Sequence, residues 1–192
     1  MKRQRFRITT QIILLMALII GVSFLAREAK WGFYRAAYPT HYSEYVERYS
    51  ALNNLPPSLV YAVIRTESGF RTDAYSFAGA KGLMQITEDT FHWIIFREGK
   101  SEYMHFDILY DPETNIRFGT ALLRMHLDEF GSVRNAMSAY HAGRGSLQSW
   151  LANPEFSANG IEIDYIPFNT TRWYVDRVIE TAETYRLLYG ID

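Results

Sequence analysis

Apolar residues recur every three or four positions along most of the chain beyond residue 40, which is the spacing of one face of an α-helix. Proline or a small polar residue stands where these segments begin, and Asn or Gly stands where several of them end. The pattern predicts six helices beyond residue 40. The first is capped by Thr40 and ended by Asn53-Asn54, the second runs from Pro56-Pro57 to Glu67, and the third is capped by Thr87 and runs through Phe96. The fourth runs from Pro112 through Leu127, the fifth from Ser132 through Tyr140, and the sixth from about Thr171 to Leu188.

The segments between the predicted helices contain no alternating run long enough to predict a β-strand, and no repeat or low-complexity tract. Residues 69–86 are rich in Gly, Ser and Ala and are interpreted as a structured loop. We therefore predict a mainly all-α domain.

The N-terminal pattern is different, because residues 8–26 contain no charged side chain. As a helix they would extend roughly 28 Å, against about 30 Å for the hydrocarbon core of a bilayer. Basic residues precede this segment, which by the positive-inside rule places residues 1–7 in the cytoplasm and the remainder outside. We predict a single-pass transmembrane anchor at 8–26, a juxtamembrane linker at 27–40, and an extracytoplasmic catalytic domain at 41–192.

Two alternatives to an anchor were weighed for this segment. A cleaved signal peptide needs small residues at −3 and −1, but a cut after Ala26 would place Phe24 at −3. A buried core helix fits poorly, since polar residues occur only at one end of the segment, at Thr9, Thr10 and Gln11. An uncleaved anchor is favoured.

Charge and composition limit the function. Four of the 20 basic residues precede the apolar segment, which leaves 16 basic against 21 acidic residues and argues against nucleic acid as a partner. The absence of cysteine excludes disulfides, thiol catalysis and thiolate metal sites. We expect neither a metal ion nor a cofactor. An aromatic content of 16% favours flat, sugar-like ligands.

Glu67 is a candidate catalytic residue because it ends an apolar predicted helix directly before a glycine-rich loop. Carbonyl groups at a helix C-terminus and apolar surroundings both disfavour a carboxylate charge. Both effects would raise the pKa of Glu67, so that the carboxylic acid could donate a proton near neutral pH. Taken alone, however, the residue is better interpreted as an ordinary solvated glutamate.

Five short segments resemble family motifs in the same order. They are Glu67-Ser68-Gly69-Phe70; Ser76 with Gly79-Ala80-Lys81-Gly82-Leu83-Met84-Gln85-Ile86; Asp111-Pro112 with Asn115-Ile116 and Gly119; Ala139-Tyr140-His141-Ala142-Gly143-Arg144-Gly145; and Ile166-Pro167 with Tyr174-Val175. Together they resemble the motifs of lytic murein transglycosylases of the soluble type (SLT), relatives of goose-type lysozyme. The resemblance implies a lysozyme-like helical domain with a cleft.

The resemblance also assigns residues to the site. It implies Glu67 as the catalytic residue and a substrate-binding set of Ser68, Ser76, Gly82, Met84, Gln85, Tyr140 and His141. Gln85 offers an amide to sugar hydroxyl or N-acetyl groups, and Tyr140 offers a hydroxyl to the glutamate or the substrate. Leu83 and Ile86 are expected in the core, and Asp111 and Asn115 are expected in helix capping and packing.

The implied reaction cleaves the MurNAc-β-1,4-GlcNAc bond of peptidoglycan glycan strands and forms 1,6-anhydro-MurNAc ends. Glycosidases usually need two carboxylates, but the only other carboxylate in the motifs is Asp111, which is assigned to helix capping. In the family one glutamate is first the acid and then the base, while the 6-hydroxyl of the muramic acid attacks its own anomeric carbon.

Two residues depart from the family pattern: His141 stands where Asn is usual, and Thr170 stands where Glu is usual. His141 keeps a donor and an acceptor, so a contact in the cleft survives the exchange. Residues 92–110 match no motif and are expected to shape the cleft wall. Hydrolysis of the same bond by water and a non-catalytic peptidoglycan-binding or scaffold role remain open. A membrane-anchored sensor has little support, and the sequence does not identify which protein partners the chain has.

Overall fold

The computed structural model describes residues 2–99 and 104–192, with side chains from Leu14 onward. The chain divides into two compact units, Met1–Pro39 and Thr40–Asp192. Within the predicted cleft-wall stretch 92–110, residues 100–103 lie outside the described residues.

The first unit contains one helix, α1 (Lys2–Ala37). It continues through most of the stretch predicted as a linker. The apolar side chains of residues 14–25 are largely exposed. In the part of the chain that the structure describes, no helix is both long and apolar enough to cross a membrane.

The predicted membrane span at 8–26 is therefore not supported. From residue 14, where the described side chains begin, the apolar run ends after residue 26 at Arg27 and Glu28. Residues 8–13 of the predicted span, and the predicted tail 1–7, lie outside the described side chains.

The second unit is helical. Its α-helices are α2 (Ser43–Leu52), α3 (Pro57–Glu67), α4 (Glu88–Arg97), α5 (Pro112–Phe130), α6 (Val133–Ala142), α7 (Arg144–Leu151) and α8 (Asn169–Tyr189). A 3₁₀ helix, Phe106–Tyr110, precedes α5. Among the described residues, β-pairing is limited to two isolated bridges, Tyr75 with Lys81 and Lys81 with Ile86, so the prediction of a mainly all-α domain is confirmed.

Side-chain caps fix three of the six predicted helix starts. The backbone N–H groups of Thr90, Thr114 and Asn135 donate to the side chains of Thr87, Asp111 and Ser132. Each of these bonds satisfies an N–H that the helix itself leaves without a partner. The predicted cap at Thr40 is wrong: α2 begins at Ser43, after Tyr42 in the left-handed region at φ 61° and without a side-chain cap.

The core lies where α3, α5, α6 and α8 pack together. From Leu59 to Ile64, every residue of α3 is buried, as are Ile116 and Leu123 of α5 and Val175 of α8. Each such side chain stabilises the fold by about 1.5–3 kcal/mol relative to an exposed position. Because α3 is surrounded on all sides, its last residue, Glu67, is held within a rigid element.

A second cluster forms beneath the loop that follows α3. Phe91 and Ile94 of α4 pack with Leu109 and Phe118. The predicted core residues Leu83 and Ile86 are buried at 0% and 1% exposure, which confirms that prediction. This cluster anchors residues 83–86, the part of the loop that faces α6.

Candidate active site

Glu67 is the last residue of α3, as the sequence predicted. The two residues after Ser68 both take left-handed backbone conformations, Gly69 at φ 59° and Phe70 at φ 68°. This conformation is strained for a phenylalanine, and the Phe70 ring packs against His41 and Tyr61. The chain thereby turns away immediately after α3 and leaves the carboxyl of Glu67 at the helix end.

Tyr174 of α8 holds this carboxyl. Its hydroxyl donates a hydrogen bond of 2.6 Å to Oε1 of Glu67. Burial raises the pKa of Glu67 to about 7, while the hydrogen bond from Tyr174 acts in the opposite direction. Burial also raises the pKa of Tyr174 well above its usual value, with the Glu67 charge adding to it, so the tyrosine remains a donor.

Tyr140 of α6 approaches from the other side. Its hydroxyl donates to the backbone carbonyl of Met84 at 2.7 Å, which links α6 to the loop between α3 and α4. Burial and then the charge of Glu67 raise the pKa of Tyr140 well above its usual value. The sequence predicted that this hydroxyl would hold the glutamate or the substrate. In the structure the hydroxyl instead donates its hydrogen bond to the loop.

Asn115 fixes the shape of that loop from within the core. Its Oδ1 accepts from the N–H of Met84 at 2.7 Å, and its Nδ2 donates to the carbonyls of Lys81 at 2.9 Å and Leu109 at 2.8 Å. The side chain therefore packs as predicted, but it organises the loop and does not cap the helix. Asp111 provides the cap.

Gly82 lies against this amide at φ 75°. A Cβ at this position would stand 2.2 Å from both Nδ2 of Asn115 and the carbonyl oxygen of Leu109. Only glycine allows the backbone to turn here at such close range. The predicted site residue Gly82 is thus placed as a structural element of the loop.

The other residues predicted to contact the substrate are engaged by, or buried within, the protein itself. Ser68 is buried and its hydroxyl donates to the carbonyl of Ile64, whereas Oγ of Ser76 accepts from the N–H of Ala80. The Gln85 amide nitrogen donates to the carbonyls of Ala74 and Gly82. The Met84 side chain is fully buried, so in this state only its backbone can serve a site.

His141, which departs from the family pattern, lies beside Glu67 and Tyr174, which together form the candidate catalytic pair. Its ring lies 4.6 Å from the Tyr174 ring, and its Nδ1 lies 3.1 Å from the hydroxyl of Thr171. The histidine therefore supports the tyrosine that holds Glu67. Thr170, the second departure, is exposed at the start of α8.

One cavity opens beside Tyr140 and another beside His141. One of about 270 Å³ is lined by Tyr140 together with Trp93, His126 and Arg144, among others. Another of about 420 Å³ is lined by His141, Asn169, Thr170 and Trp173. The site thus offers aromatic faces and polar rims of the kind that bind sugars.

Comparison with known proteins identifies the family to which the chain belongs. The transglycosylase SLT domain matches residues 44–161, which is more than half of the chain. The chain belongs to the SLT transglycosylase family. The predicted family is confirmed, and the match ends before the residue that holds Glu67, since Tyr174 lies beyond it.

Members of the SLT family with known sequence or structure resemble the chain over most of its length. The soluble lytic murein transglycosylase of Escherichia coli (strain K12) is 33% identical over 162 residues, or 83% of this chain and 25% of that protein. The crystal structure of the 70 kDa soluble lytic transglycosylase of Escherichia coli matches with a TM-score of 0.73 at 31% identity, covering 84% of this chain and 26% of that one. An inactive glutamate-to-glutamine mutant of the lytic transglycosylase Slt from Pseudomonas aeruginosa matches with a TM-score of 0.71 at 32% identity, covering 80% of this chain and 25% of that one. The chain spans about a quarter of the length of these relatives.

The SLT resemblance pointed to one residue that the sequence interpretation did not use. Tyr174 belongs to the last of the five motifs, but it was not assigned to the site. Its partner lies 107 positions away, and no local pattern reveals such a contact. Trp93, which lines the cavity beside Tyr140, belongs to the stretch 92–110 that was expected to shape the cleft wall, whereas His126 of the same cavity was missed and no motif marks it.

In this SLT domain the arrangement supplies one acid. Burial and the bond from Tyr174 account for the shifted pKa of Glu67, and no carboxylate of the described residues contributes to that shift. No group of three or more His, Asp or Glu side chains among the described residues could hold a metal ion. A carboxyl that is half protonated near neutral pH can give a proton and take one back.

Proposed function

We propose that the chain is a peptidoglycan lytic transglycosylase that cleaves the MurNAc-β-1,4-GlcNAc bond and leaves 1,6-anhydro-MurNAc ends. The observation that carries this proposal is the buried carboxyl of Glu67, with a pKa of about 7 and a hydrogen bond from Tyr174. Family membership indicates the substrate and the glycosidic bond that is cleaved, and the geometry indicates which residue is the acid.

The proposed reaction uses Glu67 twice. The protonated carboxyl donates its proton to the glycosidic oxygen, and the bond between that oxygen and C1 of MurNAc breaks. The substrate's N-acetyl group assists by stabilising the positive charge that develops at C1. The 6-hydroxyl of the same MurNAc then attacks C1, and its proton returns to Glu67, so the enzyme ends as it began.

A single acid favours this intramolecular route over hydrolysis. Both retaining and inverting hydrolases place a second carboxylate within about 5–10 Å of the first. The family motifs of this chain carry one other carboxylate, Asp111, and its side chain caps α5. Hydrolysis by a lysozyme mechanism is the alternative function, and the reducing end of the product distinguishes the two.

The proposed substrate lies across the cavities that flank the catalytic pair. The ring of Trp93 and the rim formed by Asp89 and Arg144 lie beside Tyr140, where they can contact a sugar ring. Ser68, Ser76, Gly82, Met84, Gln85, Tyr140 and His141 remain the proposed substrate-binding set. The partly exposed Gln85 and the exposed His141 offer side-chain contacts, whereas Gly82 and Met84 are buried.

Digestion of insoluble peptidoglycan tests the function. The full-length protein is expected to release muropeptides whose mass is lower by one water than that of hydrolysis products. Glu67→Gln is expected to abolish release, and the inactive glutamate-to-glutamine mutant of the Pseudomonas aeruginosa relative supports this expectation. Glu183→Gln, an exposed glutamate that pairs with Arg186, is the matched control and should retain activity.

The outcomes separate the candidates. Hydrated reducing ends would favour the lysozyme alternative. A Glu67→Gln protein as active as the wild type would overturn the assignment of Glu67. Peptidoglycan binding without any release would favour a non-catalytic scaffold.

We also propose that the N-terminal segment tethers the enzyme to the cell membrane, with the catalytic domain on the extracytoplasmic side. The proposal rests on the uncharged sequence of residues 8–26 and the basic residues that precede it. Full-length protein in cells is expected to stay in the membrane fraction after alkaline carbonate washing, and a chain lacking residues 1–26 should not. Release of the intact protein by carbonate would contradict the tether.

A further inference from the structure

A groove lies on the outer side of the catalytic pair, between the C-terminal end of α3 and the first turns of α8. It has a volume of about 360 Å³ and is lined by Arg65, Thr66, Gly69, Trp173 and Arg177. Two arginines and an indole in one groove provide positive charge beside a flat apolar face. The proposed reaction uses none of these side chains.

Arg177 is the uncommitted cation of this groove. It forms no ion pair or side-chain hydrogen bond with any residue that the structure describes. Other arginines of the domain behave differently: Arg134 pairs with Asp176, and Arg186 pairs with Glu183. In a domain with an excess of acidic residues, an arginine left exposed without an acidic partner is available to an anionic ligand.

Trp173 precedes Arg177 by one helical turn, so both side chains stand on one face of α8. The indole is 64% exposed, which is unusual for the largest apolar side chain. Trp173 also lines the cavity of His141, Asn169 and Thr170, so the two spaces meet at its ring. A ligand can therefore extend from one to the other across the indole.

Two residues of the groove are direct sequence neighbours of the catalytic pair. Thr66 precedes Glu67, and Trp173 precedes Tyr174, so each member of the catalytic pair has a groove residue as its immediate neighbour.

We propose that this groove binds the acidic peptide attached to the muramic acid, with a peptide carboxylate on Arg177 and the peptide chain across Trp173. The inference rests on the proposed function. The sugar whose C1 bond is cleaved carries a short peptide with free carboxylates on its lactyl group. When C1 lies at Glu67, this substituent must leave the cleft close to the catalytic pair, and the groove offers the charge that the peptide requires.

The test measures peptide binding without turnover. Full-length protein carrying Glu67→Gln is titrated in a calorimeter with the soluble tetrapeptide L-Ala-γ-D-Glu-meso-diaminopimelate-D-Ala. Adding Arg177→Ala is expected to raise the Kd about five-fold or more, as expected for loss of a charge-assisted hydrogen bond. Arg177→Lys keeps the charge but not the planar fork and should give an intermediate Kd.

Two controls keep the result specific. Arg186→Ala removes a paired arginine from the same helix, away from the groove, and should leave the Kd within about two-fold of the parent. The same tetrapeptide with its carboxylates amidated should bind the parent protein as weakly as the acidic peptide binds the Arg177→Ala protein.

The outcomes separate this inference from the proposed function. Absence of binding to the parent protein, or an equal Kd with and without Arg177, would overturn the groove while leaving bond cleavage intact. Peptide binding that depends on Arg177, in a protein whose wild-type form cleaves nothing, would support the groove and overturn the proposed function.

Discussion

At the residue scale, Glu67 is subject to two opposing influences. Burial favours the neutral acid, and the hydrogen bond from Tyr174 favours the carboxylate. Burial is the larger influence, and the resulting pKa of about 7 lets the same group act as acid and base near neutral pH. The rate is therefore expected to fall as the pH rises through about 7, because the first step needs the protonated form.

Replacing Tyr174 with phenylalanine tests this balance. The change removes the only hydrogen bond described for the carboxyl, so the pKa of Glu67 should rise and the alkaline limb of the kcat/KM profile should move to higher pH. The maximum rate should fall as well, because the carboxyl loses its orientation. A profile measured on soluble glycan strands distinguishes the two effects. A lower rate with an unmoved limb would mean that Tyr174 only positions the carboxyl.

The apolar helix that ends at Glu67 predicted the raised pKa of its carboxyl, whereas the resemblance to the SLT motifs indicated Glu67 as the candidate catalytic residue. The sequence did not predict that Tyr174 would be the partner of Glu67. Helical spacing placed Tyr174 on the inner face of the last helix, and a buried tyrosine is usually part of the core. Which inner residue meets which is decided by how α3 and α8 pack, and a pattern along one helix does not contain that information.

At the element scale, the loop between α3 and α4 depends on close contacts with α5. Gly119 of α5 faces Met84, and a Cβ added there would stand 2.2 Å from its Sδ and 2.8 Å from its Cβ. The buried Met84 side chain has little room to move away. The loop carbonyl that accepts from Tyr140 therefore depends on a glycine in a neighbouring helix.

Gly119→Ala is expected to lower the free energy of unfolding by about 1–3 kcal/mol, despite the better helix propensity of alanine. Gly145→Ala in α7 is the matched control. Its added Cβ has no atom within 4 Å, so it should be neutral or stabilising by up to about 1 kcal/mol. Urea unfolding of both variants provides the comparison, and equal stabilities would show that Met84 moves away without cost.

Helix positions were easier to predict than helix ends or short helices. Thr87, Asp111 and Ser132 were found because a cap is a local interaction between residues three apart. The helix α7 was missed, since Gly143 and Gly145 at its start are residues that usually end helices. The last helix begins at Asn169, two residues before the predicted start, because no side chain caps it.

At the scale of the whole molecule, a buried acid carries a cost in stability. An unfolded chain would release the Glu67 proton near its ordinary pKa of 4.5, whereas the folded chain holds it until about 7. Between these values the unfolded state gains more from deprotonation. The contribution of this group to stability is therefore fully present below pH 4.5 and is lost as the pH rises through about 7.

Glu67→Gln removes this titration. Relative to the wild type, the variant is expected to gain about 3 kcal/mol in free energy of unfolding between about pH 4 and about pH 8. Comparing the two pH values cancels any constant packing difference of the glutamine, and all other titrating groups are common to both chains. Urea unfolding at each pH measures the gain, and a constant difference would mean that Glu67 titrates normally in the folded protein.

The bond from Tyr174 to Glu67 joins residues 107 positions apart, near the two ends of the folded unit. A growing chain that has reached residue 168 already contains the acid, the loop and both flanking helices, but it lacks the hydroxyl that orients the acid. On the proposed function, the acid is therefore oriented only once α8 has been added, and a chain truncated before α8 is expected to leave peptidoglycan uncleaved.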